Sequence, residues 1–140
     1  AREPSLPVDF LVADASRLPF ADASFDRATG HSFLYLLPDP AAVLSEVARV
    51  LRPGGVATFM EPSDHGSLWM AARSAPTPLM HHAWDTLRFS TSMALWRVAS
   101  AAHERLTPQR LSELCDASGL TFVRATDTLG GLGLHFVAKR

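Results

Sequence analysis

One cysteine stands in 140 residues, so Cys115 has no partner for an intramolecular disulfide, and no group of thiols exists to hold a structural zinc. A reducing, cytoplasmic compartment is the expectation. A basic excess is missing too: thirteen Lys and Arg oppose fourteen Asp and Glu for a formal charge of -1, which argues against nucleic acid as a partner. No apolar run reaches the ~18 residues of a membrane span, and Pro4, Pro7 and Asp9 interrupt the stretch where a signal peptide is apolar. No membrane partner is expected. The adjacent His81 and His82 would point about 100° apart on a helix, and no Asp or Cys at a suitable spacing completes a ligand set, so no metal is expected. His103 and His135 read as solvated or hydrogen-bonded side chains. Repeats, low-complexity tracts and an initiator methionine are absent. A start at Ala1 fits either trimming or a chain cut from a longer one, and composition leaves both open.

With 47% hydrophobic residues and 19% charged ones, the chain has the makings of one domain with an apolar core. Residues 8–13, VDFLVA, read as a strand buried on both faces, ending at the carboxylate of Asp14. A second strand is expected at 26–30, DRATG, with HSFLYLL as its exit loop. Asp39 caps a helix whose first position is Pro40, and Val43, Leu44, Val47, Val50 and Leu51 recur at three- and four-residue intervals on its inner face. Glu46, Arg49 and Arg52 fall on the wet side. Pro53, Gly54 and Gly55 end the helix and lead into a strand at 56–61, VATFME, which again stops at a carboxylate, Glu61. Two strand-to-helix-to-strand steps with short joints indicate an α/β sheet, with Asp14 and Glu61 on the edge where such folds place ligands.

Residues 64–106 hold all three tryptophans and three of the four methionines, with Pro76 and Pro78 breaking any helix between them. They are expected to form two or three short helices covering the sheet edge. Taken singly, Met70, Met80, Met93 and the tryptophans read as packing; taken together, beside the strand ends, they suit an apolar substrate wall. Thr107 and Pro108 open a further helix with Leu111, Leu114 and Cys115 inward and Gly119 as its left-handed cap. Two strands, 120–126 and 132–139, then form an antiparallel hairpin around Gly130 and Gly131.

The run VADASRLPFADASFD, then LYLLPD, then EVARVLRPGG, resembles the central motifs of the small-molecule branch of class I S-adenosylmethionine-dependent methyltransferases, the type 11-like group. Several separated motifs in family order make the resemblance specific, from about residue 8 to the end and weakest across 64–106. It implies a Rossmann-like α/β sheet with a C-terminal antiparallel hairpin, S-adenosylmethionine as cofactor and a small-molecule acceptor. By the same resemblance Asp14 accepts the adenine amino group, Ala15 offers a backbone N–H to the ring, and Leu18, Pro19 and Phe20 lie beside it. A carboxylate is acceptor-only and that amine is a donor, so the chemistry agrees; the plainer reading of Asp14 is a turn cap. Gly30 would give room to the sulfonium and its methyl group. His31 would touch the acceptor, and Tyr35 either faces the acceptor or packs in the core. The family often has a histidine where this chain has Leu36, and that role is lost. Glu61, Asp64 and His65 either face the acceptor or cap the next element. The cofactor carries the electrophile, so a base is optional; His31 is favoured over His65 because it lies closer to the expected methyl position.

The family opens with two strands flanking a glycine-rich loop for the methionine portion of the cofactor, none of which fits in residues 1–7, and the GGLG at 130–133 precedes a terminal strand with no crossover helix. On this reading residues 1–140 are a partial, N-terminally truncated methyltransferase domain with 64–106 as a helical cover inserted in it. The family strand order 3-2-1-4-5-7-6 would leave 4-5-7-6 as one sheet and orphan residues 8–13. The isolated chain is then expected to be inactive, and either to self-associate through the exposed edge of its 26–30 strand or to pair that strand with 8–13. Two other functions are open to such a chain. A NAD-dependent short-chain dehydrogenase fragment is weakened because the only tyrosine, Tyr35, is followed four residues on by Asp39 and not by lysine. A degenerate, non-catalytic interaction domain is favoured by the missing loop and the apolar cover. The acceptor's identity, and O-, N- or C-methylation, are open.

Overall fold

The computed structural model describes residues 8–63, 106–128 and 131–140, together with residues 88, 91, 92, 95 and 98, which are helical. Among these residues four strands form one sheet: β1 (Phe25–His31), β2 (Leu51–Pro62), β3 (Thr121–Thr128) and β4 (Gly133–Lys139). Their order is β1-β2-β4-β3. β1 and β2 run parallel, while β4 is antiparallel to both β2 and β3. This is the expected order of a four-strand remainder with a terminal hairpin.

Two helices, α1 (Pro40–Val50) and α2 (Pro108–Ala117), join the same core as one face of the sheet. Both begin as the sequence predicts. Asp39 accepts the N–H of Ala42 and Thr107 accepts that of Arg110, each followed by proline at the first helical position, where a missing N–H costs nothing. Ser118, at the end of α2, donates its hydroxyl to the carbonyl of Ala41 at the start of α1, which ties the helices together. Gly119 follows with φ of 75°, the left-handed position for which glycine was expected. In β2 alternate side chains turn inward, so Ala57 and Phe59 face the helices beside their β4 partners Ala138 and Phe136. The rings of Phe59 and Phe136 stack with centroids 5.1 Å apart.

Two expectations need correction. Residues 8–13 form no strand: they join no sheet and face solvent, with Phe10 94% exposed. An apolar run becomes a strand only when neighbours take its N–H and C=O groups, and the described sheet pairs β1 on one side alone, with β2. The alternative pairing of 8–13 with β1 does not form. The helix also stops before Pro53: Leu51 is already extended and pairs with Phe25, and the register then jumps from Leu51 to Val56. The residue preceding a proline is pushed out of the helical region, which ends α1 ahead of the PGG turn.

Of the expected cover at 64–106, the helical positions 88, 91, 92, 95 and 98 and the buried Leu106 are described. His65, Asp64, Gly130, the tryptophans and Met70, Met80 and Met93 lie outside the described residues.

Candidate cofactor and acceptor site

β1 and β2 end at a shared edge, and the chain leaving β1 is fixed there by a buried carboxylate. Ser32 turns the chain with φ of 52°, a left-handed conformation uncommon for a residue with a side chain, and donates its N–H to the carbonyl of Met60 at 2.7 Å. The N–H groups of Phe33, Leu34 and Tyr35 then point at Glu61, at 3.4, 3.3 and 3.4 Å. These residues open a short 3-10 turn, Leu34–Leu36. Glu61 is 1% exposed. Burial raises its pKa, opposed by the three N–H groups and then by the charge of His31. The sequence left Glu61 to face the acceptor or to cap the element after its own strand; its carboxylate instead takes the N–H groups of the turn that follows β1.

The alternation of β1 separates its last two residues. Gly30 pairs with Phe59 on the helix-covered face, while His31 pairs with Met60 on the other and is exposed. A Cβ on Gly30 would lie 2.4 Å from the Phe59 ring and 2.6 Å from that of Phe33. The expectation that the absent side chain leaves room for a sulfonium is therefore corrected: aromatic rings fill that side, and Gly30 has only its backbone to offer a ligand. Tyr35 is half-buried, and Leu36 is exposed.

On the helix-covered side of β1 lies an apolar cleft of about 260 Å³, lined by Ala15, Leu18, Thr29, Phe33, Val43 and Phe59 among others. That is below the roughly 300–1,000 Å³ of sites that enclose a whole ligand, and it suits one flat ring better than an entire cofactor. Ala15 and Leu18 are thus brought beside the two rings that abut Gly30. Asp14 precedes them and is exposed; its Oδ1 accepts the N–H of Ser16 at 2.9 Å and the Ser16 hydroxyl at 2.7 Å. Those two bonds, the side-chain one first, lower its pKa, so the carboxylate stays an acceptor at neutral pH. Asp14 therefore does cap a turn, which fixes one oxygen and does not prevent its accepting an amine.

The segment from Leu18 to Ala23 lies along α1, where sequence periodicity had assigned Glu46 and Arg49 to water. Instead Glu46 accepts the N–H of Leu18, and Arg49 donates to the carbonyls of Leu18 and Phe20. A polar residue on the outer face of an amphipathic helix predicts only that it avoids the core, so these contacts had no local signal. Arg140 likewise caps α1 from the end of β4, donating to the carbonyls of Arg49 and Leu51. Cys115 is buried, and burial pushes its thiol up to about 11, which excludes a ready thiolate nucleophile.

Comparison with known proteins agrees with this fold. A family profile described as a methyltransferase domain matches residues 1–59. A demethylmenaquinone methyltransferase of Desulfitobacterium hafniense is 30% identical over 131 residues, covering 89% of this chain and 50% of that protein. Among solved structures, a SAM-dependent methyltransferase from Aquifex aeolicus superposes with a TM-score of 0.61 at 13% identity, covering 94% of this chain and 54% of the other. A Burkholderia thailandensis 1,6-didemethyltoxoflavin-N1-methyltransferase, solved with its substrate and S-adenosylhomocysteine, gives 0.58 at 20% identity over 94% and 50%. The chain spans about half the length of these proteins. The dehydrogenase and non-catalytic readings gain no support from them. The sheet order, the motifs and these relatives together make the chain similar to the class I S-adenosylmethionine-dependent methyltransferases, a family whose fold is Rossmann-like and whose cofactor is S-adenosylmethionine.

Proposed function

We propose that the domain to which this chain belongs transfers a methyl group from S-adenosylmethionine to a small, apolar acceptor in the cytoplasm. The observation that carries this reading is the placement of Ala15 and Leu18, directly after the exposed carboxylate of Asp14, in an apolar cleft that runs along β1 from Phe25 to Thr29. When bound, the cofactor supplies a methyl carbon already activated by its cationic sulfur. The protein's part is alignment: Asp14 accepts the adenine amine, Ala15 offers its N–H, Leu18 packs on the ring, and the Gly30 backbone borders the path to the acceptor. His31, exposed at the strand end, is the favoured base for an acceptor that must lose a proton, with His65 second. Relatives named for menaquinone and toxoflavin methylation support a small ring system as acceptor.

The chain has no glycine-rich loop that opens a crossover helix, so its own residues hold the adenine end alone. The isolated 140-residue chain is inactive on this reading, binds weakly, and self-associates through the edge of β1 that is unpaired among the described residues. Titration of the isotope-labelled chain with S-adenosylhomocysteine, followed by amide NMR, tests it. Shifts centred on residues 14–18 with a dissociation constant of about 0.1–1 mM are expected. Unmoved amides there would refute the adenine assignment, and tight stoichiometric binding would refute the incomplete site.

A further inference from the structure

Arg49 uses every N–H of its guanidinium. Nε donates to Glu46 at 2.8 Å, one terminal nitrogen to Asp22 at 2.7 Å and the Phe20 carbonyl at 2.8 Å, and the other to Glu46 at 2.8 Å and the Leu18 carbonyl at 3.0 Å. Glu46 takes the Leu18 N–H at 2.9 Å, and the Arg49 carbonyl takes that of Ala23 at 3.0 Å. Both backbone groups of Leu18 therefore end on this one pair.

An Arg–Glu pair three residues apart on a helix is ordinarily a minor aid to that helix. This one reaches 29 and 31 residues along the chain, to carbonyls of a segment that has no helix or strand of its own. Without the pair, Leu18 would be held chiefly by its apolar contacts in the cleft. A loop kept in its bound shape spends less binding free energy on ordering itself.

We infer that Glu46 and Arg49 are positioning residues for the cofactor, fastening Leu18 and thereby holding Ala15 in the cleft along β1 with Asp14 directly before it. Neither touches the cofactor. The inference rests on the adenine assignment proposed above and adds to it a fastening that acts from the far side of the loop.

The test is a double-mutant cycle on the full chain with S-adenosylhomocysteine as probe, read by amide NMR. Arg49→Ala should weaken binding about fivefold while the amide shifts of β2 and β4 hold, and Arg49→Lys, which keeps charge but not the fork, should fall between. Asp14→Asn should weaken binding in the wild-type background and add little in Arg49→Ala, because a misplaced carboxylate has little left to lose. Unchanged affinity in Arg49→Ala, or additive losses as from a general loss of stability, would overturn the positioning role while leaving the adenine assignment intact. A wild-type titration that leaves residues 14–18 unmoved would overturn both. Should Arg49→Ala fail to fold, the Arg49→Lys cycle with Asp14→Asn decides by the same criterion.

Discussion

Single residues at the end of β1 are set by close packing and by buried polarity, and both can be probed by substitution. Gly30→Ala drives a methyl into the rings of Phe59 and Phe33, a small-to-large change expected to cost about 1–3 kcal/mol in urea unfolding. Phe33 is only partly buried, so shortening it in a Gly30→Ala, Phe33→Leu variant should restore part of that loss. Glu61→Ala leaves the N–H groups at 33–35 facing a buried void and is expected to cost about 2 kcal/mol. The two glutamates respond to pH with opposite signs. Glu61 has a raised pKa, so its contribution is full below its usual value and is lost as pH rises through the folded one. Glu46 is held down to about 2, first by the Arg49 side chain and then by the Leu18 N–H. Its contribution is full above 4.5 and is lost as pH falls towards 2, with Arg49, Arg17 and Asp22 the charged groups around it. Thermal unfolding from pH 5 to pH 2 should therefore fall less steeply in Glu46→Gln than in the wild type.

At the scale of elements, the helices begin on signals only a few residues long, and their worth can be measured alone. Asp39→Ala removes the acceptor for the Ala42 N–H and should cost about 1 kcal/mol, as should Thr107→Ala at the start of α2. Equal midpoints for these variants and the wild type in denaturant would show that water replaces the caps without loss. Such boundaries were legible because cap, proline and apolar spacing agree within one turn. Residues 8–13 were legible in part: the missing strands announced that they would lie outside the sheet, but VDFLVA has the composition of a buried strand, and strand formation depends on neighbours that composition does not contain.

For the whole molecule, the edge of β1 that no described residue pairs and the exposed apolar segment from Val8 to Val12 predict association between copies. Sedimentation should show mass rising with concentration, and Phe10→Asp with Val12→Lys should suppress the rise without moving the unfolding temperature. A wild type that stays monomeric throughout would overturn the association. The sequence by itself determined the sheet order's ingredients, both helices with their caps, the terminal hairpin and the family resemblance, because each is written in local spacing or in motifs held in fixed order. Tertiary structure alone decided that Glu61 caps the turn after β1, that rings occupy the space beside Gly30, and that Glu46 and Arg49 grip a distant loop. Those outcomes depend on which groups meet across 26 to 31 residues of chain, and a local pattern fixes the face a side chain takes without fixing the partner it finds.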